Sequence, residues 1–391
     1  MKKNILATAA LAAFAATAAT SAHAQSSVTL YGIIDAGISY VNNAARTGGS
    51  DSLVKYDDGV AQGSRWGLKG SEDLGGGLKA IFTLENGFNS GTGTLGQGGA
   101  EFGRQAYVGI AKNDVGSLTF GRQYSFSTDY LGGNYSIGGQ TVAGNYAYHI
   151  NDVDQLTSSR INNAVKFSSA SFYGVTFGAM YGFSNQAGAF AGAPNTTVGT
   201  TTVAGSSRAY SFGLNYKAGP FGIGAAYTDI HYPGAATPAF STNLANIATG
   251  GTKDLRTFGI GANYAFGAAT VFGLWTNTRF EPITGASSKL NAFDIGGKYN
   301  FTSALTAGLG YTYMDLTDNF KGHWHQVDAS VDYALSKRTD VYALAIYQKA
   351  SGSNNGVENQ AQIGSATSYF GSSGLGENNQ LAFRVGIRHK F

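Results

Sequence analysis

The chain has 391 residues with 57 glycines, five prolines and no cysteine, and its charged share of 13% is about half that of an ordinary soluble domain. The lack of cysteine excludes disulfides and thiolate metal sites, and 26 basic against 23 acidic residues give no reason to invoke nucleic acid or a polybasic lipid site. Beyond residue 24 no run of about 18 apolar residues could cross a bilayer as a helix, yet aromatics reach 13% and mean hydropathy is −0.10. Such a composition suits a chain with half its residues facing lipid and half facing water. A closed β-barrel does that while satisfying its backbone within the bilayer.

Residues 1–24 read as a cleaved export signal. Lys2 and Lys3 form its positive start, residues 5–20 an alanine-rich apolar stretch, and Ala22-His23-Ala24 a small-x-small cleavage site. Residues 25–391 are then one transmembrane domain. Losing the two lysines leaves it 24 basic residues against 23 acidic.

From residue 28 onward hydropathy alternates with period two. Val28, Leu30, Ile34, Ala36 and Ile38 share one face, and Thr29, Tyr31, Asp35 and Ser39 the other. Phe177, Ala179, Tyr181 and Phe183 alternate in the same way with Thr176, Gly178, Met180 and Gly182. In a membrane barrel the apolar face meets lipid and the polar face lines the lumen. The pattern divides into sixteen strands, over 28–40, 64–73, 77–88, 104–112, 116–124, 160–169, 174–184, 207–217, 221–229, 255–266, 268–280, 290–300, 304–315, 323–334, 337–349 and 379–391. Most are about nine to thirteen residues long, as a tilted strand needs to span the bilayer. Residues 340–348 are apolar on both faces and fit the alternation poorly. Short connections such as Leu74-Gly75-Gly76 and Asn113-Asp114-Val115 alternate with long ones over 41–63, 125–159, 185–206, 230–254 and 350–378. Short periplasmic turns and long external loops are expected of an outer-membrane barrel exported through the periplasm.

The chain ends on a strand whose last residue is Phe391. An aromatic terminus of this kind resembles the signal read by the outer-membrane barrel assembly machinery. An even strand count brings the first and last strands together so that no edge remains.

Ser27-Val-Thr-Leu-Tyr-Gly-Ile-Ile-Asp35, Gly63-Ser-Arg-Trp-Gly-Leu-Lys-Gly-Ser-Glu-Asp-Leu-Gly75, Arg104-Gln-Ala-Tyr-Val-Gly109, Gly116-Ser-Leu-Thr-Phe-Gly-Arg-Gln-Tyr124 and Val385-Gly-Ile-Arg-His-Lys-Phe391 resemble, in this order, the β-proteobacterial general diffusion porins. The resemblance implies a sixteen-stranded antiparallel barrel that assembles as a homotrimer in outer-membrane lipid and lipopolysaccharide. It also implies a third external loop folded into the lumen, and passive diffusion of small hydrophilic solutes and ions without a cofactor.

The loop at 125–159 is the candidate for that constriction. It carries Asp129, Asp152 and Asp154 and no lysine or arginine. The family pattern places Arg65, Arg122 and Arg160 as the basic cluster on the wall opposite. Parity turns Arg65 and Arg160 inward. Arg122 shares parity with Leu118 and Phe120, and faces the lumen only if a bulge re-aims it. Arginine stays charged in a protein, and two unit charges about 6 Å apart interact by roughly 3 kcal/mol at an effective dielectric near 20. Wall arginines facing loop carboxylates would set up a field across the gap that separates ions by sign. Asp35, Lys69, Lys79, Glu85, Lys166 and Lys298 are expected to line the pore with smaller effect.

Other signals weigh less. His323-Trp324-His325 puts two imidazoles on one strand face without a third ligand, which favours a rim or subunit-interface role over a metal site. Gly259-Ile-Gly261 and Gly308-Leu-Gly310 lead into no helix, so they relieve crowding inside the barrel rather than bind a dinucleotide. Alternatives are a substrate-specific channel lined by aromatics, a structural anchor or adhesin, and a barrel enzyme built on His149 and Asp152.

Overall fold

The computed structural model describes residues 26–391, apart from 158, 199–200, 204, 233–251 and 367. The export signal lies outside the described residues. The strands are β1 (Ser27–Arg46), β2 (Gly49–Asp58), β3 (Arg65–Gly75), β4 (Leu78–Gly87), β5 (Gln105–Lys112), β6 (Gly116–Tyr124), β7 (Arg160–Ser169) and β8 (Val175–Gly182). A small hairpin, β9 (Thr196–Val198) and β10 (Thr201–Val203), precedes β11 (Arg208–Ala218), β12 (Phe221–His231), β13 (Thr252–Phe266), β14 (Ala269–Pro282), β15 (Ser288–Asn300), β16 (Leu305–Asp318), β17 (Gly322–Ala334) and β18 (Thr339–Ser351). A second small hairpin, β19 (Ser353–Asn354) and β20 (Val357–Glu358), precedes the last strand, β21 (Asn379–Lys390).

Every expected strand is present within a few residues. Each pairs antiparallel with its neighbour, and together they form a closed sixteen-stranded barrel. β1 is the seam. Its first residues pair with β3, from Ser27 opposite Ser71 to Ile33 opposite Arg65, and its middle pairs with β21, from Ile33 opposite Lys390 to Val41 opposite Ala382. Phe391 exchanges two backbone hydrogen bonds of 3.0 Å with Gly32, which closes the rim. The tight turn between β3 and β4 relies on Gly75, Gly76 and Gly77 at φ of 87°, 60° and 77°, a region side-chain-bearing residues avoid.

The first long connection differs from expectation. β1 continues to Arg46 and returns as β2, so the wall extends outward as a two-stranded ribbon paired from Ala36–Asp58 to Arg46–Gly49. Its apolar residues are few and fall on both faces, with Val41, Ala44 and Leu53 on the inner cluster and Val54 and Tyr56 exposed, so no long hydrophobic period marks it.

The outer face follows the expected alternation. Val28, Ile295, Leu309 and Val385 are 65%, 67%, 63% and 62% exposed, as lipid-facing residues of an isolated barrel must be. The inner face does not stay polar along its whole height. Three apolar clusters lie where loops fold onto the wall, and one joins Tyr342, Leu344 and Ile346 of β18 to Ile137, Tyr146 and Ile363 of two loops. This explains why residues 340–348 are apolar on both faces. One side meets lipid, and the other is roofed by loop side chains.

Candidate pore constriction

The loop at 125–159 enters the lumen and follows its wall. Its neck is pinched by Ser125 N–H donating to the Ser159 carbonyl at 2.9 Å, and Phe126 N–H donates to Ser211 Oγ at 3.0 Å. A π-helical turn (Ser127–Gly132) and two short helical turns (Gly133–Tyr135, Ile137–Gln140) carry it along the inner face. Glycines on the strands make room for it. A Cβ on Gly178 would meet the Phe126 ring at 2.1 Å, one on Gly261 would meet Tyr135 at 2.5 Å, and one on Gly310 would meet Ile137 at 2.6 Å. The Gly-x-Gly pairs of β13 and β16 therefore form a seat for the loop.

The loop is tied down at both ends of its path. Lys166 bonds the Asp129 carboxylate and donates to the Tyr124 carbonyl at 2.7 Å, and Lys298 donates to the Gln140 carbonyl at 3.2 Å. Farther along, Tyr146 is fully buried, donates to Asp57 and is hydrogen-bonded with Ser39 Oγ at 2.7 Å, while Asn145 N–H donates to the Val60 carbonyl at 2.7 Å. Burial, reinforced by Asp57, pushes the Tyr146 phenol pKa far above its usual range, so it stays a proton donor.

Between these anchors His149 is clamped by two carboxylates. Nδ1 bonds Asp154 of the loop, and Nε2 bonds Asp294 of β15 at 3.0 Å. Thr276 donates to Asp154 at 2.7 Å, Thr312 to Asp294 at 2.6 Å, and Ile137 N–H to Asp294 at 3.2 Å. Burial alone would push the imidazole pKa down. The two carboxylates override it and hold His149 charged well above its ordinary range.

These contacts revise the expected arrangement of charge. Asp154 is buried in the His149 clamp. Asp152 is also buried, and its carboxylate accepts the Thr157 N–H at 2.9 Å. Neither lines the opening. Arg122 is absent from its lining too. It donates to the Gly103 carbonyl at 2.8 Å and to the outward-turned Asn162 side chain. The bulge here belongs to β7, where Asn162 and Asn163 together face Arg122 between the Gly121–Ala164 and Gln123–Ile161 pairs, so β6 keeps its own alternation at Arg122.

The gap left beside the loop is a cavity of about 520 Å³, whose charged lining consists of Arg65, Arg104, Arg160, Arg388 and Asp129. Arg104 is paired with Glu85 at 2.8 Å, and Arg388 with Asp340 at 3.1 Å. Arg65 donates from Nε to the Gly63 carbonyl at 2.9 Å. Arg160 lies over the Tyr124 ring, 4.9 Å from its centre, and donates to the Tyr124 hydroxyl at 3.2 Å. Among the described residues neither Arg65 nor Arg160 has a carboxylate within 4 Å, and Arg160 Nε is buried without a partner. Arg104 and Arg388 went unassigned in the sequence. Arg388 had a signal, because it alternates with Val385 and Ile387 on the terminal strand.

The remaining expected pore residues are spread along the inner wall. Asp35 is fully buried, 3.5 Å from Arg384 and bonded by the Tyr342 hydroxyl at 2.5 Å. Glu85 accepts from Tyr31 at 3.0 Å as well as from Arg104. Lys69 sits over the Tyr31 ring, 5.3 Å from its centre, and Lys79 shares the parity of Thr83 and Glu85 on β4. His323 and His325 turn outward against Tyr313 and Tyr311, at 3.0 and 2.7 Å, and Trp324 turns inward. Among the described residues no group of three metal-ligating side chains forms.

Residues 7–380 match the family model described as Gram-negative porin. The chain is 33% identical to an outer membrane porin protein of Bordetella pertussis and 30% identical to outer membrane porin protein 32 of Delftia acidovorans, over the whole of each chain. Among solved structures, an anion-selective porin from Comamonas acidovorans matches with a TM-score of 0.70 at 26% identity, covering 94% of this chain and all of that one. The trimer form of OmpT, an outer membrane protein of Vibrio cholerae, shares the fold with a TM-score of 0.63 at 16% identity, over 94% of this chain and 99% of its own.

Proposed function

The chain belongs to the Gram-negative porin family and forms an outer-membrane channel, and from that premise we propose that its constriction passes small hydrophilic solutes with a preference for anions. The carrying observation is the charge imbalance of the gap. Arg65 and Arg160 have no paired carboxylate, with Glu85 and Asp152 acting on them only from beyond 4 Å, and Asp129, the cavity's carboxylate, is already bonded by Lys166. A permanent positive wall in a narrow aqueous passage lowers the energy of an entering anion and raises that of a cation. The similar Comamonas protein is described as anion-selective, which supports this reading.

We extend the proposal to the rest of the molecule. Residues 1–24 are removed on export, and Phe391 serves the assembly machinery. The mature barrel works as a homotrimer among outer-membrane lipid and lipopolysaccharide. It acts as a passive pore rather than an enzyme. Both ring nitrogens of His149 are held by carboxylates, which leaves no free nitrogen to act as a base, and its expected partner Asp152 bonds elsewhere.

Recording the purified protein in a planar bilayer under a salt gradient tests the central claim. Stepwise conductance with a reversal potential on the anion side is expected. A cation-side potential overturns the selectivity, and an absence of steps overturns the open channel.

A further inference from the structure

The constriction cavity adjoins a second one of about 770 Å³, enclosed by β2, the loop at 88–104 and the loop that carries Ser368 and Tyr369. All three belong to the external end of the barrel, so this cavity is the outer of the two. Gly63, Gln97, Arg104 and Tyr369 line both. A Cβ at Gly63 would meet Arg104 Nη1 at 3.3 Å, so the glycine keeps the neck between them open.

The two cavities carry opposite unpaired charge. In the outer one Lys55 is tied to Asp57 at 3.4 Å and to the carbonyls of Ser368 and Tyr369 at 3.1 and 2.5 Å, and Arg104 to Glu85 at 2.8 Å. That leaves Asp58, which has no cation within 4 Å among the described residues. Three hydrogen bonds converge on its Oδ1, from Ser64 Oγ at 2.9 Å, from the Ser90 N–H at 3.0 Å and from the Ser90 hydroxyl. They fix the carboxylate and leave Oδ2 without a partner among the described residues. In the inner cavity stand Arg65 and Arg160 without a paired carboxylate, and Arg160 Nε is buried with no partner. Gly63-Ser64 spaces the two charges, because its hydroxyl holds Asp58 and its carbonyl holds Arg65.

A simple cation is drawn to Asp58 and repelled at the arginines. A simple anion meets a carboxylate before it reaches them. A solute with both charges on one short frame satisfies both ends of the path. We propose that Asp58, Arg65 and Arg160 form a recognition path for small zwitterionic solutes of the amino-acid type. The carboxylate leads toward the arginines and the ammonium is held by Asp58. The inference rests on the anion-preferring constriction and adds to it a cation-binding group at its outer side. Guanidinium forks take a carboxylate through paired donors, and an ammonium brings three donors for the free oxygen of Asp58. Each contact is made at an aqueous surface, where one ion pair is worth little, so the solute leaves as readily as it enters.

The test compares L-alanine with L-lactamide, a solute of similar size without formal charges, by the swelling rate of liposomes that hold the whole mature protein. Both solutes are neutral overall, so neither sets up a potential. Alanine is expected to enter several-fold faster. D58N keeps the Oδ1 acceptor for Ser64 and Ser90 but loses the charge. It should cut the alanine-to-lactamide ratio about fivefold, the worth of one unit-charge pair about 4 Å apart in water. Lactamide entry should stay that of the parent. If D58N does not assemble, the parent's own ratio carries the test. A parent ratio of one or less overturns the proposal, as does a folded D58N with the parent's ratio. Equal slowing of both solutes would make Asp58 a structural anchor of the mouth and overturns it too. Reversal potentials under a salt gradient separate the two readings. A cation-side potential for the parent overturns the anion-preferring gap and the path that rests on it. An anion-side potential with an unchanged ratio in D58N overturns the zwitterion path alone.

Discussion

Replacing Arg65 and Arg160 with glutamine should shift the channel toward cations. The cavity holds four arginines, but Arg104 and Arg388 are paired with Glu85 and Asp340, so two without a paired carboxylate remain. In the aqueous gap an ion passing about 6 Å from a guanidinium feels about 0.7 kcal/mol. Anion and cation feel it with opposite sign. Removing one arginine therefore moves their permeability ratio by about 1.4 kcal/mol, roughly tenfold, at low salt. At 0.1 M the screening length of about 10 Å cuts this to roughly fourfold per arginine. Reversal potentials of the single and double variants, measured in planar bilayers at both ionic strengths, provide the assay, and conductance should rise modestly because glutamine is shorter. R104Q is the contrast. It lowers the charge of the gap by one as well, but it should in addition destabilise the barrel by leaving Glu85 buried without its cation, with Tyr31 as its remaining partner. A double variant with normal channel steps and the parent's reversal potential at both salts would refute the reasoning.

Three other outcomes are expected. H149A leaves Asp154 and Asp294 buried without their shared cation, which should cost about 3–5 kcal/mol and loosen the loop, read as a lower unfolding midpoint and noisier open-channel current. Because the folded-state pKa of His149 is raised, its contribution is fully present below about pH 6.5 and is lost as pH rises through the folded value, so parent stability should decline on the alkaline side while H149Q shows a flatter profile in urea titrations. G261V forces a side chain into Tyr135 and should cost about 1–3 kcal/mol or unseat the loop, visible as a changed conductance in a barrel that still migrates heat-modifiably on gels. Deleting Phe391 removes the two backbone hydrogen bonds to Gly32 at the seam, and it should reduce the fraction of heat-modifiable protein recovered from the outer membrane.

Sequence alone determined the barrel. The reason is local: a strand's side chains alternate whatever it pairs with, so period two identified the sixteen strands, their lipid faces and the inward parity of Arg65, whereas Ile161 is buried against the lumen loop and parity does not account for Arg160's place in the gap. The turns followed from glycine and the short polar connections. The constriction was legible only as a loop of suitable length and charge between β6 and β7.

Which charges that loop offers the pore was decided by tertiary structure. A loop has no period, so each side chain points where its partners are, and those partners are distant in sequence. His149 meets Asp294 across 145 positions, which draws Asp154 away from the opening, and Asp152 is buried by the same docking. The apolar inner face of β18 likewise made sense only once Tyr146 and Ile363 were seen to cover it. The bulge beside Arg122 lies on β7 and does not re-aim it, and Arg104 and Arg388 enter the cavity because distant segments close around it. Alternation along a strand assigns a residue to the wet or the greasy side. Whether its charge acts on a passing ion depends on the counter-charge that the folded chain brings beside it.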